Sequence, residues 1–118
     1  MVACVAIWAA AATLTHLPGH LLPDPKFDDC TLHGLAYFVL TLLLWLTLRA
    51  YAVAPLRRVL WTAGVTICYG VLDEITQPLF GRNAELSDWA ADIAAAATAI
   101  VVCEILAMIR SRQRAAPR

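Results

Sequence analysis

Four apolar runs, each separated from the next by a short polar or proline-bearing stretch, organise this chain, and they cover residues 2–17, 31–50, 56–77 and 88–109. A helix rises 1.5 Å per residue, so a run of ~20 apolar residues matches the ~30 Å hydrocarbon core of a bilayer. The pattern predicts four membrane-spanning helices. The first run is the shortest and ends in LPGHLLPDP, whose prolines and glycine break a helix. It is read as a retained span rather than a cleaved signal peptide, because no basic residue opens it. The second, TLHGLAYFVLTLLLWLTLRA, has one histidine near its start, one arginine near its end and a centre rich in leucine, valine, phenylalanine and tryptophan. Pro55 and Pro78 bracket the third. The fourth contains AADIAAAATAIVV, and alanine permits close helix contact where lipid supplies no hydrophobic drive, so a central position in the bundle is expected.

Composition sharpens this picture. Of 118 residues, 61% are hydrophobic and 15% charged, against roughly 25% charged in soluble domains, and the mean hydropathy is +0.69. The expectation is all-α: a single domain, 1–118, forming an integral membrane bundle of four transmembrane helices. The net charge of zero hides an uneven distribution. With four spans, the connection from Arg49 to Arg58 and the tail from Arg110 share the side of the N-terminus. That side holds Arg49, Arg57, Arg58, Arg110, Arg112, Arg114 and Arg118, against Lys26 and Arg82 on the other. The positive-inside rule then makes both termini cytoplasmic and predicts a multi-pass protein of a bacterial plasma (inner) membrane. The tail RSRQRAAPR reads as a topology signal that also attracts anionic lipid heads; nucleic-acid binding needs a folded basic surface, which the pattern does not supply. Cys4, Cys30, Cys68 and Cys103 lack any CxxC or other metal-ligand spacing and read as small hydrophobes. Trp8, Trp45, Trp61 and Trp89 lie mostly near span ends, where indoles anchor at the interface.

The polar residues inside the runs cluster by depth. Asp29 and His33 open the second span, Asp73, Glu74 and Gln77 close the third, and Asp88 and Asp92 open the fourth; all lie toward the outer face. Asp29 with His33, Asp73 with Gln77 and Asp88 with Asp92 are each four residues apart, which returns to one helix face. A shared polar pocket is expected. Asp73 lies ~6 Å below the end of its span, where an ionised acid facing lipid costs ~2.5–3.5 kcal/mol, so it should face the bundle and find a partner. Arg82, in the loop PLFGRNAELS, is the expected one, able to pair with a carboxylate or meet an anionic headgroup. His33 is expected beside Asp73 or Glu74. His16 and His20, flanking a Pro-Gly turn, read as surface residues.

These residues resemble the pattern of the VanZ-like family of small membrane proteins, named for a member linked to teicoplanin resistance. That family has an Asp-Lys-x-x-His block followed by an aromatic, then D/S-E-x-x-Q, Gly-Arg and an aspartate at the start of the last span. Here the first block is Asp29-Cys30-Thr31-Leu32-His33 with Tyr37 one turn on; the second is Asp73-Glu74-Ile75-Thr76-Gln77, Gly81-Arg82, Asp88 and Asp92. Cys30 stands where the family has its lysine, and Asp92 and alanines stand where relatives carry an asparagine and a glycine. The resemblance covers residues 17–102. It implies a multi-span envelope protein that in some members lowers susceptibility to glycopeptide antibiotics, with Asp29, His33, Tyr37, Asp73, Glu74, Gln77, Arg82, Asp88 and Asp92 as the binding set.

Three functional readings use that set. In the first, the pocket and Arg82 bind a lipid-linked or headgroup anion, such as a lipid-linked cell-wall precursor, at the outer leaflet. In the second, His33, Asp73 and Glu74 are the catalytic residues of a membrane enzyme acting on a lipid phosphate ester, joined by Asp92 and either holding a divalent metal or acting as an acid/base pair. No spacing marks a metal site, although acid-rich oxygen donors would suit magnesium or manganese better than zinc. No nucleophile is spaced beside His33. The third, a proton-coupled transporter, ranks last because no inverted repeat is evident.

Overall fold

A computed structural model of the chain describes residues 2–16, 29–81 and 85–115. Four α-helices account for most of them: α1 (Val2–Thr15), α2 (Asp29–Ala50), α3 (Pro55–Thr76) and α4 (Leu86–Ala115). A 3₁₀ turn, Gln77–Phe80, follows α3, and no strand occurs among the described residues. The helix limits fall within a few residues of the apolar runs, except that α4 continues through the arginine-bearing segment to Ala115.

Local chemistry explains the ends. Pro55 occupies the first turn of α3, where its missing N–H costs nothing and its fixed φ suits a helix. Pro78 has no N–H to donate to the Glu74 carbonyl, so the α-helical ladder stops and tightens into the 3₁₀ turn. Gly81 closes that turn at φ 74°, in the left-handed region open to glycine. Between α2 and α3 the chain reverses within four residues. Ala52 N–H donates to the Arg49 carbonyl and Val53 N–H to the Leu48 carbonyl, the double bond of a Schellman cap, with Ala52 itself at φ 55°.

The most extensive packing is between α2 and α4; α2 also packs against α1 and α3, and α4 against α3. Small residues face each other between α2 and α4, as the alanine-rich run predicts. A methyl group at Gly34 would touch Ala91 and Ala95 at 3.9–4.0 Å.

Buried positions recur every three or four residues, but their chemistry runs opposite to that of a soluble bundle. In α3 the inner stripe is Arg58, Thr62, Thr66, Gly70 and Asp73, continued by Gln77, while Leu56, Leu60, Trp61, Val65, Leu72 and Ile75 face outward. In α4, Asp88 and Asp92 are buried together with Ala96, Ala99 and Cys103, and Val101, Ile105, Leu106 and Met108 are exposed. An amphipathic helix in water turns its polar side outward. These two turn it inward.

Two helical segments, Cys30–Ala50 and Leu86–Arg114, are long and apolar enough to cross a membrane. The other two fall short of that measure for different reasons. α1 has 14 residues, and α3, although 22 residues long, carries Arg57, Arg58, Asp73 and Glu74.

Two aromatic and charged residues depart from expectation at the end of the bundle that holds the α2–α3 turn. Trp45 is 2% exposed rather than interfacial, and Arg58 is buried in the first turn of α3 rather than free in a loop. Each is held there by Glu104 of α4, which accepts from Trp45 Nε1 at 2.8 Å and from Arg58 Nη2 at 3.0 Å. The Arg58 guanidinium also lies 4.4 Å from the centre of the Trp45 ring.

Candidate functional site

At the other end of the bundle, the last turns of α1 and α3 meet the first turns of α2 and α4. Asp73, 1% exposed, is the anchor on α3. Its Oδ1 accepts a hydrogen bond from Thr15 Oγ1 at 2.8 Å, and its Oδ2 accepts from Gln77 Nε2 at 3.4 Å, one helical turn away. Arg82, expected as its partner, lies outside the described residues. Among the described residues, its hydrogen-bond donors are Thr15 of α1 and Gln77 at the start of the 3₁₀ turn.

His16 belongs to this site and is not a surface loop residue. Its Nδ1 donates to the Ala12 carbonyl at 2.7 Å and lies 3.6 Å from Asp73 Oδ1, while Nε2 is 2.7 Å from Thr76 Oγ1. The ring meets Phe80 edge-on at 4.8 Å. α1 is helical up to Thr15, so His16 is carried one step beyond the end of that helix and onto α3 rather than out into a loop. His20 lies outside the described residues.

The second cluster joins α2, α3 and α4. His33 is 4% exposed and Asp92 1%, and their nearest approach is Nδ1 to Oδ1 at 3.6 Å. The histidine therefore sits beside Asp92, whereas sequence spacing pointed to Asp73 or Glu74. Glu74 is nevertheless close: ligand-capable atoms of His33, Glu74 and Asp92 all lie within 4.8 Å of one another. Glu74 Oε2 also accepts from the backbone N–H of Glu85 at 2.9 Å, which ties the end of α3 to the residue preceding α4.

Tyr37 covers the cluster from below. It is 1% exposed, its ring lies nearly parallel to His33 at 6.5 Å, and it contacts the Tyr69 ring at 5.7 Å. The space for both Tyr37 and Trp89 comes from Gly70. A methyl group there would already touch Trp89 Cδ1 at 3.4 Å and Tyr37 Cε1 at 3.5 Å.

Several buried polar atoms at this end have no hydrogen-bond partner among the described residues: Tyr37 Oη, Glu74 Oε1, Gln77 Oε1, Trp89 Nε1 and both carboxylate oxygens of Asp92. Leaving such a group unsatisfied costs ~1–3 kcal/mol, so a concentration of them marks a place built to meet something polar. Beside them runs a groove of about 320 Å³ lined by Val71, Glu74, Ile75, Glu85, Leu86 and Trp89. Its lining is mostly apolar, with Glu74 and Glu85 as its two acids. Trp89 thus lines a groove rather than serving as an anchor alone.

Of the residues singled out from sequence, the structure brings His33, Tyr37, Asp73, Glu74, Gln77, Asp88 and Asp92 to one end of the bundle, and Asp88 is 3% exposed on the same face of α4 as Asp92. Asp29 begins α2, but its side chain, like Arg82, lies outside the described residues. Sequence reasoning missed Thr15, His16 and Thr76. A polar Thr-His pair closing the first apolar run, at the depth where the other helices also turn polar, was the available signal. Cys30, where the resembled family has lysine, places Sγ 3.9 Å from the Ser87 carbonyl, a weak bridge between the starts of α2 and α4.

Comparison with known proteins finds no matching protein family, no matching curated protein and no matching solved structure.

Proposed function

We propose that this chain is a four-span integral protein of a bacterial plasma membrane, with both termini cytoplasmic, and that the polar end of its bundle binds a lipid-linked or headgroup anion at the outer leaflet. The inverted polarity of α3 carries the reading. A helix that buries Arg58, Thr62, Thr66, Asp73 and Gln77 and exposes leucine, valine, isoleucine and tryptophan is arranged for an apolar surrounding. α3 thereby qualifies as a span despite its four charges. α1 has fewer residues than a full crossing needs; its apolar run, and the depth at which Thr15 meets Asp73, support counting it as the fourth.

The arginine distribution orients the bundle, with the Arg49–Arg58 side inward and the His33–Asp73–Asp92 end outward. The apolar groove beside Glu74 suits an acyl or prenyl chain whose polar head reaches the cluster. The resemblance to the VanZ-like family points the same way, toward an envelope protein affecting teicoplanin susceptibility through what reaches the cell surface. Mass spectrometry of lipids retained by the purified protein tests the proposal. Wild type should hold an anionic lipid that Glu74→Gln releases, and equal retention by both would defeat it.

A second reading has a specific observation behind it. The convergence of His33, Glu74 and Asp92 offers proton donors and acceptors to a lipid phosphate ester, as a membrane enzyme would require. That reading expects turnover to vanish in His33→Ala while the helical fold persists.

A further inference from the structure

An acid-lined pocket is an odd place for an anion. Asp73, Glu74, Asp88 and Asp92 all converge on it, and among the described residues no lysine or arginine forms an ion pair with Asp73, Glu74 or Asp92. Like charges confined in a low-dielectric interior repel strongly, and an anionic ligand would add to that repulsion. Something cationic resolves the conflict.

We infer that His33, Glu74 and Asp92 form a binding site for a single divalent cation of the first transition row, Mn²⁺ or Zn²⁺. Three helices contribute one ligand each, an imidazole nitrogen and two carboxylate oxygens. Three atoms no more than 4.8 Å apart lie within about 2.8 Å of a common centre, so side-chain adjustment of about 0.6–0.8 Å reaches the 2.0–2.2 Å typical of such ligands. Asp92 supplies an independent sign. It is 1% exposed, both its oxygens lack a hydrogen-bond partner among the described residues, and His33 Nδ1 at 3.6 Å is beyond hydrogen-bond range of it. A buried carboxylate with four lone-pair sites facing a histidine and a second carboxylate is arranged as a ligand.

The donor set favours this class of ion. Imidazole suits transition metals, and two carboxylates keep the site hard enough for manganese, whereas all-oxygen cages suit magnesium or calcium. Three protein ligands leave coordination positions open. Tyr37 Oη, buried and without a hydrogen-bond partner among the described residues, is one turn from His33 and available to an additional ligand oxygen. On the binding reading proposed above, on which this last step rests, the open positions take a phosphate or carboxylate oxygen of the lipid anion, and the ion adds positive charge beside the carboxylates.

The test uses the full chain in detergent, stripped with a chelator and then equilibrated with Mn²⁺ or Zn²⁺ alone. Elemental analysis should find one ion per chain for at least one of the two metals. Asp92→Asn and His33→Gln should each weaken binding at least about tenfold. Glu104→Gln, at the opposite end of the bundle, should retain the ion. The electron spin-echo spectrum of the Mn²⁺-loaded wild type should carry coupling to a histidine nitrogen, a readout that holds even if a variant fails to fold. Failure to hold either metal, undiminished binding by Asp92→Asn, or bound Mn²⁺ without nitrogen coupling would each overturn the inference. Metal retention and lipid retention are separate measurements. A chain that binds lipid without metal sinks this inference alone, and one that binds metal but no anionic lipid sinks the binding function alone.

Discussion

Trp45 and Glu104, on different helices and 59 residues apart, share a 2.8 Å hydrogen bond, and the same carboxylate oxygen receives the Arg58 guanidinium through Nη2 at 3.0 Å and Nε at 3.3 Å. One oxygen thus joins α2, α3 and α4 at the end of the bundle opposite the candidate site. Removing the acid while leaving the buried arginine is the costly change. Glu104→Ala should lower stability by about 3 kcal/mol, near the lower end for a broken buried pair because Glu104 is partly exposed. Thermal unfolding in detergent measures it, and Glu104→Gln, which keeps an acceptor for the indole, should lose less.

Thr15 Oγ1 on Asp73 Oδ1 ties the end of α1 to α3, beside the contact of His16 with Thr76. A typical intramolecular hydrogen bond contributes ~0.5–1.5 kcal/mol, and a buried acceptor left unsatisfied costs ~1–3 kcal/mol. In Thr15→Val, amide exchange over residues 2–15 should quicken while α2 to α4 keep their protection; Thr15→Ser should restore it. Uniform protection in the valine variant would show that apolar packing alone secures α1.

Ala52 holds a left-handed conformation that costs an L-residue about 1–2 kcal/mol, part of which glycine avoids at the expense of chain entropy. Ala52→Gly should therefore stabilise the protein by about 0.5–1 kcal/mol, seen as a raised unfolding midpoint.

At Gly70 the neighbouring rings leave room for a methyl group and little else. Gly70→Ala should be nearly neutral, whereas Gly70→Leu must push Trp89 or Tyr37 aside at about 1–3 kcal/mol. Loss of ligand or metal binding in the leucine variant, with helicity retained, would link this packing to the site.

Reporter fusions check the proposed orientation. A fusion after Tyr51 should report the cytoplasm and one after Gly81 the outside, and the reverse pattern would invert the assignment.

Much of this architecture could be read from one-dimensional pattern. The helices follow the apolar runs, and the pairs Asp73 with Gln77 and Asp88 with Asp92 share faces because four residues make about one turn. Periodicity fixes which residues share a face but not which helix that face meets. Thr15 to Asp73 spans 58 residues and Arg58 to Glu104 spans 46, and neither pair has a local signature. For the same reason spacing places His33 at the depth of Glu74, which it does meet, but gives no sign of Asp92, which the rotation of α4 brings within 3.6 Å of it. His16 escaped notice because a proline-glycine turn follows it, and loop composition outweighed the single position that still continues α1.

The inward polar stripe of α3 also bears on how such a protein could be made. Judged as an isolated segment, α3 carries four charges and would partition poorly on its own, yet only four residues, Tyr51 to Ala54, separate it from the strongly apolar α2. If the bilayer is its home, the two must leave the ribosome's exit machinery as a hairpin, with the leading arm drawing its reluctant neighbour in. Biogenesis would then depend on that short reversal as much as the finished bundle does.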